Sequence, residues 1–318
     1  MASVSQAKSF WKVLKQVSVT QIAEESHRAF SLALVGSPER RAEALARLYP
    51  GQPEESVHPL IRAFDSTDRE SGFPEEGGSF DIVIDAGKGR GPTPQATAIY
   101  SVDEIGGWDR LVERLLDERP DLALSLARRF PGLREAVAGR VIRETAVANA
   151  EFAMLNALPG IVPILGLLLP TTAIGDIVIL AKNQAMMMFR LAAVHDLPLD
   201  LRARSRDLAP LLGNAFGWRA LAREVVGVVP GGVGMVARGM IAYAGTVALG
   251  EAVRRLYALG QQPTRAQINL YYRRAYAGAR ETVRSMAARI LGQRRRRRSL
   301  PPAPEPESET QPQGPSGA

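Results

Sequence analysis

The chain has no cysteine, so disulfides, thiolate metal sites and thiol nucleophiles are excluded. Its only histidines, His27, His58 and His195, are scattered without metal-ligand spacing, and no run of carboxylates suggests an all-oxygen site. No Gly-x-Ser-x-Gly elbow appears, and no acid pair has glycosidase spacing. An uninterrupted apolar leader is also missing. Phe10, Trp11, Val13 and Leu14 are interleaved with Lys8, Lys12 and Lys15, so the chain is expected to start in the cytoplasm. These absences predict a protein that is not an enzyme and carries neither cofactor nor metal.

The most informative absence lies in a phosphate loop. Ser31-Leu-Ala-Leu-Val-Gly36 reads as a buried strand ending at a glycine turn, and Pro38 to Tyr49 reads as a helix with proline in its first turn. Phosphoryl transfer at such a place needs Gly-x-x-x-x-Gly-Lys-Ser/Thr, because the lysine reaches the phosphates and the hydroxyl holds magnesium. After Gly36 and Ser37, the second glycine, the lysine and the hydroxyl are replaced by Arg41, Ala42 and Glu43. Glu39 and Glu43 would also repel phosphate. No Asn-Lys-x-Asp motif follows a later strand. Asp85 fits a capped turn or, alternatively, the magnesium side of a nucleotide site. The glycine-rich run from Gly87 to Gly91 follows a different strand.

What is present divides the chain in four. Residues 1–25 include an amphipathic segment over 7–17, in which Trp11 and Lys12 suit a membrane interface or packing on the segment's own domain. Residues 26–120 read as a small α/β domain: further strands are expected at Leu60 to Phe64, Phe80 to Asp85 and Ala98 to Val102. A helix follows in which Trp108, Leu111, Val112, Leu115 and Leu116 recur at helical spacing. Residues 121–293 read as all-α, with a stripe at Val137, Val141, Thr145, Ala148, Phe152 and Leu155. A capping box, Thr264-Arg-Ala-Gln267, opens a last helix whose apolar face runs through Ile268, Tyr272, Ala275, Ala279, Val283, Met286 and Ile290. Residues 294–318 hold the run Arg294, Arg295, Arg296, Arg297 and Arg298 and then a Pro/Glu-rich tail of disordered composition. The fold class expected is α+β multidomain: a degenerate P-loop-like α/β domain followed by an all-α hydrophobic domain.

Two apolar stretches, from Phe152 to Gly175 and from Val225 to Gly250, are long enough to be transmembrane candidates. The connection between them is rich in arginine, so single crossings would export positive charge against the usual bias. Hairpins bent at Pro159, Gly160, Pro163 and Pro170, and at Pro230 and Gly231, would keep it inside. Arms of about 13 residues, roughly 20 Å of helix, fall short of a hydrocarbon core. The alternative is a soluble bundle whose central helices are apolar all round. Glu151, Asn156, Asp176 and Arg238 are expected to satisfy one another or to cap helix ends.

The residues Asn156-Ala-Leu-Pro-Gly160, Gly175-Asp176 and Lys182-Asn-Gln184, with Val229-Pro-Gly231, Ala242-Tyr-Ala-Gly-Thr246 and Gly250, resemble a bacterial domain of unknown function. That domain occurs in YcjF-like inner-membrane proteins and behind Era-like small GTPase domains. The resemblance covers about residues 140 to 262 and implies an all-helical, membrane-linked domain without assigned chemistry. It makes the N-terminal part look like a partner GTPase domain eroded at its phosphate loop. The net charge of +7 calls for an anionic partner. The leading expectation is a non-catalytic scaffold or regulatory protein at the cytoplasmic face of a membrane rich in anionic lipid, with a protein partner allowed. The alternatives are a regulatory GTP binder and a nucleic-acid binder using the basic C-terminal helix. No nucleic-acid-reading motif accompanies that helix.

Overall fold

The computed structural model describes residues 19–51, 61–65, 79–87, 96–157, 172–200, 204 and 233–299. The amphipathic segment with Trp11 and Lys12 lies outside them. So do the bends at Pro159, Gly160, Pro163, Pro170, Pro230 and Gly231.

Short apolar runs separated by helix and turn segments form a parallel sheet. The strands are β1 (Leu32–Gly36), β2 (Ile61–Asp65), β3 (Ile82–Asp85) and β4 (Ile99–Ser101), in the order β2-β1-β3-β4 and all parallel. Each falls within a residue or two of its expected place. Every residue of β1 is buried, as in parallel sheets covered on both faces. Leu32, Leu34, Ile82 and Ile84 face the main core, while Ala33, Val35 and Val83 join Phe80 on the other side. Asp81 ties the start of β3 to β1, its Oδ2 accepting from the backbone N–H of Ser31 at 2.8 Å and from the Ser31 hydroxyl at 2.9 Å.

Three helices cover the sheet or lead into it: α1 (Thr20–His27), α2 (Pro38–Leu48) and the single turn α3 (Val102–Ile105). The next, α4 (Trp108–Glu118), buries Leu111, Val112, Leu115 and Leu116, the stripe its spacing predicts. Burying four such side chains contributes about 6–12 kcal/mol before conformational entropy is subtracted. A 3₁₀ turn at Pro120–Leu122 then leads into α5 (Ala123–Arg129), and a second at Pro131–Leu133 leads into α6 (Arg134–Leu155). No strand occurs beyond Ser101 among the described residues. The remaining helices are α7 (Thr172–Val194), α8 (Val233–Leu259) and α9 (Arg265–Ser299).

The sheet and the helices share one core. Leu34, Ile84 and Leu111 belong to the same buried cluster as Val137, Phe189, Leu191 and Val253. At the junction, a Cβ on Gly132 would overlap the carbonyl oxygen of Arg47, so the end of α2 lies directly on the turn before α6.

The helical part is organised by the antiparallel pair α6 and α8. A Cβ on Gly239 would lie 2.8 Å from Met154 Cγ, and one on Gly250 would lie 2.7 Å from Ile142 Cγ1. Gly239 and Gly250 are eleven residues apart, three turns along one face, so the backbones meet closely at both positions. Helix α9 returns along α8. It starts with the predicted capping box: the Thr264 N–H donates to Gln267 Oε1 at 2.9 Å, and the Gln267 N–H donates to Thr264 Oγ1 at 3.3 Å.

Several expectations are corrected. In α6 the stripe holds at Val137 and Val141 and then turns: Ala146, Asn149, Ala150 and Met154 are buried, and Leu155 is exposed. Residues 233–250 of the second apolar stretch lie in one helix that continues to Leu259, longer than the arm of about 13 residues expected, while its expected bend lies outside the described residues. Its apolar surface is buried against α6 and α9, as the bundle alternative required. Among the described residues, no helix is long and apolar enough to cross a membrane. Helix α9 continues through Arg294–Arg298 to Ser299 and does not stop at 293. Arginine is a strong helix former, and positive charge suits a helix C-terminus. Of the polar residues expected to satisfy one another or to cap helix ends, Asn156 is the C-cap of α6, whereas Glu151 Oε1 lies 3.9 Å from Arg289 Nη2 and Arg238 is exposed.

The α6–α8 contact can be tested with two substitutions on one helix. Gly245 has nothing within 4 Å of a built Cβ, so Gly245→Ala should stabilise by about 0.5–1 kcal/mol through helix propensity. Gly250→Ala forces its methyl into the buried Ile142 side chain and should destabilise by about 1–3 kcal/mol. Urea unfolding of the two variants beside the parent measures both.

Candidate functional site

In a parallel sheet of order β2-β1-β3-β4, the chain leaves β1 toward one side and later crosses to the other. Ligands in such sheets sit at the carboxyl ends of the strands, at this switch between β1 and β3. The two strand ends touch there: Gly36 has φ +150°, and a Cβ on it would lie 3.2 Å from that of Ala86. A cleft of about 410 Å³ opens beside them. Arg40, Glu43 and Arg47 on α2 form one wall, Asp103 and Trp108 stand on the other, and Ala86 lies at the base.

Among the described residues, the polar groups at this edge are largely engaged in local structure. Pro38, at the start of α2, has no N–H, and the Arg40 N–H donates to the Ser37 hydroxyl at 3.4 Å. Asp85 Oδ1 accepts the Gly87 N–H at 3.0 Å, so this carboxylate closes a turn. Of the two readings left open for Asp85, the geometry shows the capped turn. A Cβ on Gly87 would collide with the Asp103 carboxylate, which presses on the glycine backbone from the side. Arg40 Nη1 lies 3.4 Å from Glu43 Oε2, an exposed pair worth little by itself. Among the described residues no group of His, Asp and Glu is arranged to hold a metal ion. Among its described lining residues the cleft combines two cations, two anions and an indole, with no nucleophile poised against a base.

A second constellation lies inside the helices. Asn149 of α6 is fully buried, donates from Nδ2 to Thr246 Oγ1 of α8 at 2.9 Å, and accepts at Oδ1 from Asn183 Nδ2 of α7 at 2.9 Å. The Thr246 hydroxyl passes on to the Ala242 carbonyl at 2.8 Å. Sequence reasoning missed Asn149. The signal was indirect: Asn183 and Thr246 both lie in the short motifs that carry the family resemblance.

The third feature is His195, just past the end of α7. Its ring meets Tyr257 edge-on, with centroids 6.5 Å apart, and the Arg204 guanidinium lies over the Tyr257 ring at 5.7 Å. Nε2 is buried and has no hydrogen-bond partner among the described residues. Burial, and then the positive charges of Arg134 and Arg254, push the imidazole down to about 4, so the ring is neutral at pH 7.

The expected site residues thus part company. Gly36 and Ser37 stand at the cleft edge as strand end and helix cap. Arg294–Arg298 lie in the last turns of α9, on a different element. No protein-family model, no curated protein and no solved structure matches this chain.

Two measurements follow. Because the α2 terminus caps itself and Arg41, Ala42 and Glu43 stand where a phosphate loop has glycine, lysine and a hydroxyl, millimolar GTP or ATP with magnesium should leave the melting temperature unchanged. A nucleotide-dependent rise abolished by Gly36→Asp would refute this. For His195, the unfolded chain takes up a proton near pH 6.5 but the folded ring does so only near pH 4. Stability from this group is therefore complete above pH 6.5 and is lost as pH falls toward 4. Allowing for the ring's partial exposure, the loss is roughly 1–2 kcal/mol. Denaturation at stepped pH should show a shallower decline for His195→Gln than for the parent.

Proposed function

We propose that the protein is a non-catalytic scaffold or regulatory protein that works at an anionic membrane surface, its α/β part related to a GTPase domain that has lost the means to bind phosphate. The observation that carries this reading is the charge on α9. Eleven arginines and a single glutamate, Glu281, fall within Arg265–Ser299. The chain as a whole has 40 Lys and Arg against 33 Asp and Glu, so without this helix it is slightly acidic. Its entire positive excess belongs to one helix about 52 Å long.

Arg265, Arg273, Arg274, Arg280, Arg284 and Arg289 are all exposed, opposite the face that packs on α8. Guanidinium groups concentrated on one rigid helix raise the positive potential that draws it to lipid phosphates. Tyr272 and Tyr276 stack on each other with centroids 6.0 Å apart and are half-buried, so they form no open platform for nucleic-acid bases. The cleft chemistry supports the non-catalytic half of the proposal, since the residues at the strand ends serve as caps and turns.

Each basic residue near an anionic bilayer is worth about 1 kcal/mol before screening. Replacing Arg294–Arg298 by glutamine should therefore lower partitioning onto phosphatidylserine-containing vesicles at least tenfold at low salt. The difference should shrink as ionic strength shortens the Debye length. Equal co-sedimentation of parent and variant at low salt would count against the proposal.

A further inference from the structure

We infer that the helical part meets the bilayer end-on, at the end farthest from the sheet, with α9 standing on its C-terminus. This inference rests on the membrane reading above and deepens it by naming the surface involved.

The close contacts fix the directions of the helices. Met154 meets Gly239 and Ile142 meets Gly250, so α6 and α8 run antiparallel. Asn183 bonds to Asn149, while Asp196, just past α7, pairs with Arg128, just before α6, so α7 is antiparallel to α6. Val283 of α9 approaches Gly239, and Met286 and Ala287 share a cluster with Met235, so α9 runs back toward the start of α8. The C-terminal ends of α6 and α9 and the N-terminal ends of α7 and α8 therefore share one end of the bundle. The opposite end adjoins α5 and the sheet.

Apolar and basic character coincide at the far end. Leu155 and Leu291 are 38% and 44% exposed there, and Ile179 on the far half of α7 is 44% exposed. Ala287 is buried, residues 288–293 are exposed or half-buried, and the helix runs on to Ser299, about 18 Å beyond Ala287. Arg294–Arg298 lie in these last turns. Stable attachment of a soluble domain to a bilayer usually needs two signals, an apolar one and a polybasic one. Both occur at this end. The near end also exposes leucine, at Leu259 and Leu270, but without an arginine run.

The absence of cysteine makes site-specific labelling direct. Single variants of the full chain, Leu155→Cys, Leu291→Cys, Leu259→Cys, Leu270→Cys and Arg273→Cys, would each carry an environment-sensitive nitrobenzoxadiazole probe. All five positions are exposed, and circular dichroism checks folding. On phosphatidylcholine/phosphatidylserine vesicles, emission at 155 and 291 should shift to the blue and become quenchable by brominated lipid, while 259, 270 and 273 stay unchanged. Vesicle binding with an equal shift at 273 would mean side-on contact along α9. A shift only at 259 and 270 would reverse the orientation. Either result overturns the end-on arrangement and leaves the membrane reading standing. Failure to bind anionic vesicles at low salt, alone or together with tight binding to duplex oligonucleotide, would overturn both.

Discussion

The close approach of α6 and α8 is the constraint on which the helical arrangement depends. Two glycines let the backbones meet, and between them Asn149 and Thr246 exchange a hydrogen bond in a site closed to water. A slip of either helix by one residue would leave Asn149 unpaired in an apolar interior, at a cost of about 1–3 kcal/mol. Asn183 brings α7 into the same bond chain, so one buried amide sets the register of three helices. Apolar packing alone tolerates many registers. The polar contact selects one.

That selection decides where the chemistry of the surface falls. With α7 and α8 running opposite to α6 and α9, the arginine-rich end of α9 lies away from the sheet. The cleft at the carboxyl ends of β1 and β3 lies with the sheet. The capped terminus of α2, the Asp85 turn and the Arg40–Glu43 pair make that cleft a feature of shape and mixed charge. The basic helix and the cleft are separate surfaces on one body.

Much of the fold was legible because it is written at short range. Buried strands announce themselves as apolar runs, α4 as a helical stripe, and the start of α9 as a capping box whose two bonds form as its residues imply. The second half of α6 was misread for a physical reason. A three-or-four spacing carried on from Val137 selects Ala148, Phe152 and Leu155, but the close helix contact buries Ala146 and Ala150 and turns Leu155 outward. The buried amide was equally hidden, since Asn149 and Thr246 are 97 residues apart and neither stands out locally. Capping a helix end is local, and Asn156 does so, whereas the partner of Glu151 is Arg289, on a helix that begins more than a hundred residues later. At the cleft, the missing lysine was plain from sequence, whereas the self-capping of α2 needed coordinates.

Gly132 has a mechanical consequence. A swivel between two parts of a chain needs slack, either a polar linker or a loosely packed joint. Here the turn before α6 lies against the Arg47 carbonyl with no room for a methyl group, and the core passes beneath it without interruption. A tilt imposed on the bundle is therefore delivered to α2, one wall of the cleft, as if through a stiff lever.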